Sequence, residues 1–195
     1  MVGLGSRDWV RPRYSRGDVR KAGQVLINQG ASAEERYKAY EVMNNWRTSH
    51  GFPLNTFQMS LRSKSKQISG DSLVAQRLKR APSIISKHER FPKMDLSRMQ
   101  DLGGCRAIMP SVEDVYTLLE SYNRSQIKHK RLNLKDYIKD PKPSGYRGIH
   151  LIYSYNSDRQ TTYNKLQIEI QMRTQVQHAW ATAWHHAKYR QCDNE

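Results

Sequence analysis

Asp101 stands in a sequence setting that suits metal-assisted chemistry. It lies just before Gly103 and Gly104 and a short apolar segment, in MQDLGGCRAIM. Magnesium prefers oxygen ligands and commonly uses one or two carboxylates together with substrate phosphates. A carboxylate beside two glycines could therefore hold this ion near a phosphate chain, although an aspartate in such a place is more often a turn or cap residue.

The segment 165–173, KLQIEIQMR, alternates between apolar and polar side chains. Alternation with period two predicts a strand with one face on the core and one face open. The polar face carries Gln167, Glu169, Gln171 and Arg173. Such a face is either a binding surface or an ordinary solvated side of an antiparallel sheet.

The segment 136–150, DYIKDPKPSGYRGIH, predicts a basic loop that could approach a ligand. Gly145 and Gly148 permit close approach of the backbone, and Tyr146 offers a flat face for a base. The cations of this loop, suited to phosphates, are Lys139, Lys142 and Arg147. A Pro/Gly turn that happens to be basic has the same composition.

Four cations occur in the segment 76–87, QRLKRAPSIISK. They are Arg77, Lys79, Arg80 and Lys87. Guanidinium groups stack on purine rings, and lysine ammonium groups give point charges to phosphates. A solvated helical face would also carry such residues.

The bulk composition indicates an acidic partner. The chain has 195 residues and a net charge of +15, which favours nucleotides, RNA, DNA or anionic lipid as ligands. The alternative is a basic surface that only aids solubility. No apolar run approaches the roughly 18 residues that span a bilayer, and no secretory signal is visible. Cys105 and Cys192 have no metal-ligand spacing and predict no disulfide framework. We expect a cytoplasmic protein without membrane association.

The region 1–70 predicts a basic arm followed by helices. The first ~20 residues are rich in arginine and resemble an extended arm. A capping box, Ser32-x-x-Glu35, predicts a helix that stops near Gly51. A second helix is expected from Asn55 to about Ser65, and a third from Asp71 to Arg80, ended by Pro82.

The region 71–195 predicts strands interleaved with helices. Strands are expected in CRAIM (105–109), from Lys128 to Ile138, in GIHLIYSY and in KLQIEIQMR, with helices opened by Ser111-x-x-Asp114 and Thr174-x-x-Gln177. On the last helix, the side chains expected to face inward are Val176, Ala179, Trp180 and Ala183. This order predicts an α+β fold with a mixed sheet flanked by helices.

These segments together resemble the RelA/SpoT synthetase domain, a pyrophosphokinase, from about Leu73 to Trp180. The combination of the 136–150 loop with EIQMRTQVQHAWAT downstream is highly specific for that family. The resemblance implies a nucleotidyltransferase-like sheet of about five strands. It also implies that ATP is the pyrophosphate donor, that magnesium is the cofactor, and that the acceptor is the ribose 3′ hydroxyl of GDP or GTP.

The resemblance also implies roles for individual residues. Arg77 and Arg106 match the arginines on either side of adenine, and Lys79 and Lys87 match phosphate ligands. Asp101 and Glu169 match the magnesium carboxylates, and Glu169 also matches the group that helps deprotonate the acceptor. Tyr146 matches the tyrosine that stacks on guanine. The positions that match the acceptor site or support the sheet are Lys135, Lys142, His150, Gln171 and Arg173; His150 is as readily a structural histidine.

Two other functions stay open. The segment NNWRTSHGFPLNTFQMSLR (44–62) is similar to segments of toxic small alarmone synthetases, some of which pyrophosphorylate the 3′ CCA end of tRNA. Under this hypothesis, an antitoxin or regulatory protein is an expected partner. The third reading is a degenerate, non-catalytic nucleotide- or RNA-binding module. Homo-oligomers are compatible with each reading.

The segment after Trp180 departs from the family pattern. A glutamate is expected one helical turn further on, but Trp184, His185 and His186 stand there, and the later family helices are not represented. The adjacent histidines point about 100° apart on a helix, which favours a surface pair over a metal site.

Overall fold

The computed structural model describes residues 8–192, and it describes side chains for residues 8–183. The helices in this range are α1 (Arg16–Ile27), α2 (Ala33–Ser49), α3 (Gly51–Ile68), α4 (Ala81–Arg90), α5 (Val112–Asn123) and α6 (Gln175–Cys192). The strands are β1 (Leu73–Leu78), β2 (Gly103–Met109), β3 (Lys130–Asp136), β4 (Ile149–Ser154) and β5 (Gln167–Thr174). Two short 3-10 helices cover Leu96–Arg98 and Thr161–Tyr163.

The strands form one mixed sheet in the order β1-β2-β5-β4-β3. The central pair, β2 and β5, is parallel, and the other neighbouring pairs are antiparallel. The predicted α+β class, with a five-stranded mixed sheet and an N-terminal helical segment, is confirmed. The parallel pairing brings the start of β2, just after Asp101, beside the start of β5.

One face of the sheet packs against α3 and α5. The fully buried side chains of this layer include Ile168, Ile170 and Met172 of β5, Ala107 and Met109 of β2, Phe57 and Leu61 of α3, and Val115 and Leu118 of α5. Because side chains alternate along a strand, the residues between these apolar positions face the opposite side.

The capping signals of three predicted helices are confirmed. Ser32 accepts from the Glu35 amide, Ser111 caps α5, and Thr174 and Gln177 exchange hydrogen bonds at the start of α6. The expectation of a simple arm over the first ~20 residues is wrong from Arg16 onward, because α1 begins there. Its capping box, formed by Ser15 and Asp18, was the signal that the arginine-rich composition concealed.

The helix expected from Asp71 to Arg80 is a strand. Residues 73–78 form the edge strand β1, which pairs antiparallel with β2. The sequence LVAQRL contains good helix formers, and pairing with a distant strand overrides that weak local preference. Pro82 does not end a helix here. It lies in the first turn of α4, where a missing backbone donor costs nothing.

Two smaller expectations about helices also need correction. The helix expected to start at Asn55 is α3. It starts at Gly51, because Pro53 is tolerated in its first turn. On α6, Val176 is 79% exposed and Trp180 is 37% exposed, and Ala179 and Ala183 are exposed as well. The predicted inward face is therefore wrong, because α6 makes only limited contacts with β2 and β5 of the sheet.

The helices of the described range include none that is both long and apolar enough to cross a membrane. The side chains of Trp184, His185 and His186 lie outside the described residues, so the predicted surface pair stays a prediction.

Candidate active site

The polar face of β5 carries the residues around which the site is built. In the parallel pair, Glu169 lies beside Gly104 and Gln171 lies beside Arg106. In the antiparallel pair on the other side, His150 of β4 is opposite Gln171, and Lys135 of β3 is opposite His150. The alternation of β5 therefore places all these side chains on the sheet face away from α3 and α5.

A cleft of about 140 Å³ opens on this face, between β1, β2 and β5. Its lining residues are Ala75, Gln76, Arg77, Asp101, Gly104, Cys105, Arg106, Glu169 and Gln171. Asp101 and Glu169, which are far apart in the sequence, thus share one cavity with two arginines. Gly104 has no side chain to fill the floor between them.

Asp101 is held by two lysines. Lys79 Nζ lies 3.0 Å from Oδ2, and Lys87 Nζ lies 2.9 Å from Oδ1. Burial disfavours the charged carboxylate, but the two ammonium groups outweigh this cost and hold the pKa of Asp101 below its usual value. Asp101 is therefore an ionised group, with its charge balanced inside the cleft wall.

Glu169 is the second acid, and both of its carboxylate oxygens accept hydrogen bonds. His150 Nδ1 lies 2.9 Å from Oε1, and the Gln171 amide donates to Oε2 over 2.7 Å. Burial favours the neutral acid, yet these hydrogen bonds prevail and lower the pKa of Glu169. An ionised carboxylate only accepts, so His150 donates from Nδ1. Its other nitrogen, Nε2, lies 2.6 Å from the Tyr146 hydroxyl oxygen, within hydrogen-bond distance.

Gln171 joins the two sides of the polar face. Its side-chain oxygen, Oε1, accepts a hydrogen bond from Arg106 Nε at 3.1 Å and another from an Arg173 Nη at 2.6 Å. Burial, with the nearby charges of Arg173 and Arg77, lowers the pKa of Arg106 to about 10. The guanidinium is still cationic at neutral pH, and a bound anion would relieve the repulsion among these arginines.

Tyr146 stands beside the cleft, surrounded by rings and cations. Tyr137 and His150 contact its ring edge-on, at centroid distances of 5.8 Å and 5.5 Å. Lys142 Nζ lies 5.0 Å and the Arg173 guanidinium 5.6 Å from the ring centroid. Burial raises the pKa of the Tyr146 hydroxyl. The ring offers a flat surface of the kind on which a nucleobase stacks.

The loop that carries Tyr146 depends on two glycines. Gly145 has φ of +76°, and a Cβ there would lie 3.1 Å from the Trp180 ring. Gly148 has φ of +150°, and a Cβ there would lie 3.3 Å from the Tyr146 hydroxyl. Only glycine combines these backbone conformations with such close approach, so the loop positions Tyr146 against α6 and β4.

The structure brings most of the expected residues together and leaves others at the rim. Arg77 lines the cleft but is exposed. Lys135 and Lys142 are also exposed, and they lie outside the cleft lining. Tyr137 was not predicted as a site residue, yet its ring contacts both Tyr146 and His150. Its position at the start of the basic loop was an available signal.

The acids of the cleft fit a magnesium ion that is shared with a substrate. No cluster of three or more histidine, cysteine, aspartate or glutamate side chains that could hold a metal occurs among the described residues. Asp101 and Glu169 line the same cavity. Magnesium bound through two carboxylates, with phosphate oxygens and water completing its shell, needs no further protein ligand.

Comparison with known families places the chain. The family model described as "Region found in RelA / SpoT proteins" matches residues 76–194, which is more than half of the chain. The chain therefore belongs to the RelA/SpoT family, as the motifs of the loop and of β5 predicted.

Two curated relatives come from Bacillus subtilis (strain 168). The chain is 32% identical over 124 residues to the GTP pyrophosphokinase YjbM, which covers 62% of this chain and 58% of that protein. It is 28% identical over 127 residues to the GTP pyrophosphokinase YwaC, covering 65% of this chain and 57% of that protein. The chain thus spans less than two thirds of the length of these relatives.

Solved structures of small alarmone synthetases share the fold. Synthetase 2 of Bacillus subtilis matches with a TM-score of 0.65 and 26% identity, covering 78% of this chain and 82% of that one. Synthetase 1 of the same organism, bound to its product pppGpp, matches with a TM-score of 0.64 and 25% identity, covering 72% and 76% of the two chains.

Proposed function

We propose that this protein is an ATP-dependent pyrophosphokinase that transfers the β,γ-pyrophosphate of ATP to the ribose 3′ hydroxyl of GDP or GTP. The observation that carries the proposal is the meeting of Asp101 and Glu169 in one cleft, with Arg77 and Arg106 in its wall. The names of the curated relatives, both GTP pyrophosphokinases, and the pppGpp bound to synthetase 1 favour the same chemistry. The substrates suit a cytoplasmic protein.

On the donor side, Arg77 and Arg106 would hold adenine between them, and Lys79 and Lys87 would contact the phosphates. Both lysines pair with Asp101. A triphosphate would draw these ammonium groups away and free the carboxylate oxygens. Asp101 and Glu169 would then hold magnesium, which supplies positive charge to the transferred group.

On the acceptor side, Tyr146 would stack on guanine, and Glu169 would accept the proton of the 3′ hydroxyl. The residues that would line or support this half are Lys135, Lys142, His150, Gln171 and Arg173. Positioning and charge stabilisation supply most of the rate in phosphoryl-type transfer. The hydrogen bonds that fix Glu169 therefore have direct catalytic value.

A second acceptor, the 3′ end of tRNA, is favoured by exposed cations on the edge strand β3. Lys130 and Lys135 are exposed and lie opposite Ser154 and His150 of β4, so both belong to the cleft face of the sheet. With Lys142 beside Tyr146, they offer positive charge to a polyanion that approaches along this edge. An antitoxin or regulatory protein would belong to this form of the activity.

One incubation distinguishes the candidates. The folded protein is mixed with γ-labelled ATP and magnesium, and GDP, GTP and tRNA ending in CCA are offered in parallel. We expect label on a guanine nucleotide, and the Glu169→Gln variant should lose about a thousandfold in rate. Glu113→Gln, at an exposed residue of α5, is the matched control.

Label on tRNA alone would select the second acceptor. ATP binding without transfer to any acceptor would reject both enzymatic proposals and leave the non-catalytic binding module.

A further inference from the structure

The segment Asn44–His50 at the end of α2 contacts the backbone of Lys79, one of the two lysines proposed to bind the ATP phosphates. Its sequence, NNWRTSH, contributes no residue to the cleft lining. Arg47 is half-buried, and its Nε donates to the backbone carbonyl of Lys79 over 2.6 Å. A cation donating to a carbonyl at this distance forms a charge-assisted hydrogen bond, which is stronger than a neutral one.

The Lys79 carbonyl lies at a junction. β1 ends at Leu78, Arg80 is the N-cap residue of α4, and α4 carries Lys87. The amide of Lys79 donates to the Leu102 carbonyl over 2.8 Å, next to Asp101. The Lys79 backbone is therefore fixed on one side by the segment after Asp101 and on the other side by Arg47.

The guanidinium of Arg47 is itself held on α2. One Nη lies 3.4 Å from the Asn44 side-chain oxygen, one turn earlier. A planar guanidinium can make both contacts at once, whereas a lysine has a single ammonium on a flexible stem. Arg47 therefore transmits the position of α2 to the β1–α4 junction.

His50 fixes the other side of the same region. It is buried, donates from Nδ1 to the Trp46 carbonyl over 2.7 Å, and burial lowers its pKa to about 4. A Cβ built at Gly103 would lie 3.3 Å from the Cβ of His50. The end of α2 thus packs against the start of β2, two residues after Asp101.

We propose that Arg47 is a positioning residue for the donor nucleotide. Through the Lys79 carbonyl it sets where Lys79 and Lys87 present their ammonium groups around Asp101. This inference rests on the proposed function, because it assigns those two lysines to the phosphates of ATP.

The test is calorimetric binding of a non-hydrolysable ATP analogue with magnesium. Arg47→Met should weaken binding about tenfold, a size typical of residues coupled by contact. Arg62→Met, an equal loss of charge at an exposed position of α3, should leave affinity unchanged. In turnover, KM for ATP should rise while KM for GDP stays as in the wild type.

A double-mutant cycle separates positioning from general damage. If Arg47 acts through the two lysines, Arg47→Met should cause a smaller further loss in a Lys79→Met background than in the wild type, because only Lys87 remains to be positioned, whereas independent effects would multiply. Multiplying effects, or wild-type affinity of Arg47→Met, would overturn the inference.

Two outcomes concern folding and the parent proposal. If Arg47→Met does not fold, Arg47→Lys decides: reduced affinity with an unchanged unfolding curve supports positioning, and wild-type affinity contradicts it. If the wild type binds no analogue at all, the proposed function fails, and the inference fails with it.

Discussion

Glu169 is a mostly buried acid whose surroundings keep it charged. Desolvation works against the carboxylate, but His150 and Gln171 each donate to one of its oxygens, and the pKa ends below its usual value. His150 is in turn fixed by Tyr146. One imidazole ring therefore links the tyrosine that we propose for base stacking to the carboxylate that we propose as the proton acceptor.

We expect His150→Phe to move the acid limb of the activity profile to higher pH. Without the donor at Nδ1, burial of Glu169 acts with less opposition, so its pKa rises and the active carboxylate form requires a higher pH. At neutral pH the rate should fall about ten- to a hundredfold, as for other groups that orient a catalytic ligand. The measurement is kcat/KM from pH 5 to 9.

Tyr146→Phe is the companion variant, since it keeps the ring and removes only the hydroxyl that hydrogen-bonds to His150. Its acid limb should move less than that of His150→Phe.

The stability of the fold depends on the same carboxylate. Because the folded-state pKa of Glu169 is lowered, its charge stabilises the folded protein at pH values above its unfolded-state pKa. This contribution is lost as the pH falls through the folded-state pKa. In His150→Phe this contribution should be smaller, because the folded-state pKa of Glu169 rises toward its unfolded value, and its loss should be complete at a higher pH. An unshifted acid limb would exclude this role for His150.

The connection from β3 to β4 carries Tyr146 and so belongs to the proposed acceptor side. The Gly145 amide donates to the Lys142 carbonyl over 2.8 Å, which closes a tight turn. Trp180 of α6 packs on this turn. The loop therefore takes its shape from its own glycines and from α6, the helix that follows β5. This shape fixes the position of Tyr146 beside the cleft.

Gly145→Ala should raise KM for the acceptor about five- to tenfold and leave KM for ATP unchanged. A side chain at a positive φ costs about 1 kcal/mol, and its Cβ would push against the Trp180 ring. Gly70→Ala is the control, because a Cβ at Gly70 meets nothing within 4 Å. Steady-state kinetics with each substrate varied in turn decides; an unchanged acceptor KM would refute the role of the loop.

Local signals predicted the elements unevenly. The capping boxes located α2, α5 and α6 because a cap is a contact between near neighbours. β1 was missed because an edge strand of six residues is defined by its partner, and LVAQRL has no alternation that would reveal it. The predicted site residues of β5 faced the cleft because period two alone assigns a face.

A single buried core joins the described parts of the two predicted regions. The buried cluster extends from Val19 to Met172. Trp9 belongs to the same body: its ring meets Phe52 edge-on at 5.9 Å, and its carbonyl accepts from the Tyr163 hydroxyl at 3.2 Å. We therefore expect the described part of the chain to unfold as one cooperative unit.

Trp9→Ala should lower the free energy of unfolding by about 2 kcal/mol, since a half-buried indole loses less than a fully buried one. The transition should stay single, with coincident curves from tyrosine fluorescence and far-ultraviolet circular dichroism in urea. Tyr37→Ala, at a residue that is 65% exposed, should change stability by less than about 0.5 kcal/mol. Two separate transitions would show that the regions fold independently.

By itself the sequence predicted the candidate site residues and the faces of their strands. Residue types, caps and period-two alternation are local properties, and they named Asp101, Glu169 and Tyr146 before any fold was known. Only the tertiary structure decided which groups meet. The parallel pairing of β2 with β5, the two lysines on Asp101 and the contact of Arg47 with Lys79 join residues distant in sequence. Such contacts depend on how the whole chain packs, which no short segment specifies.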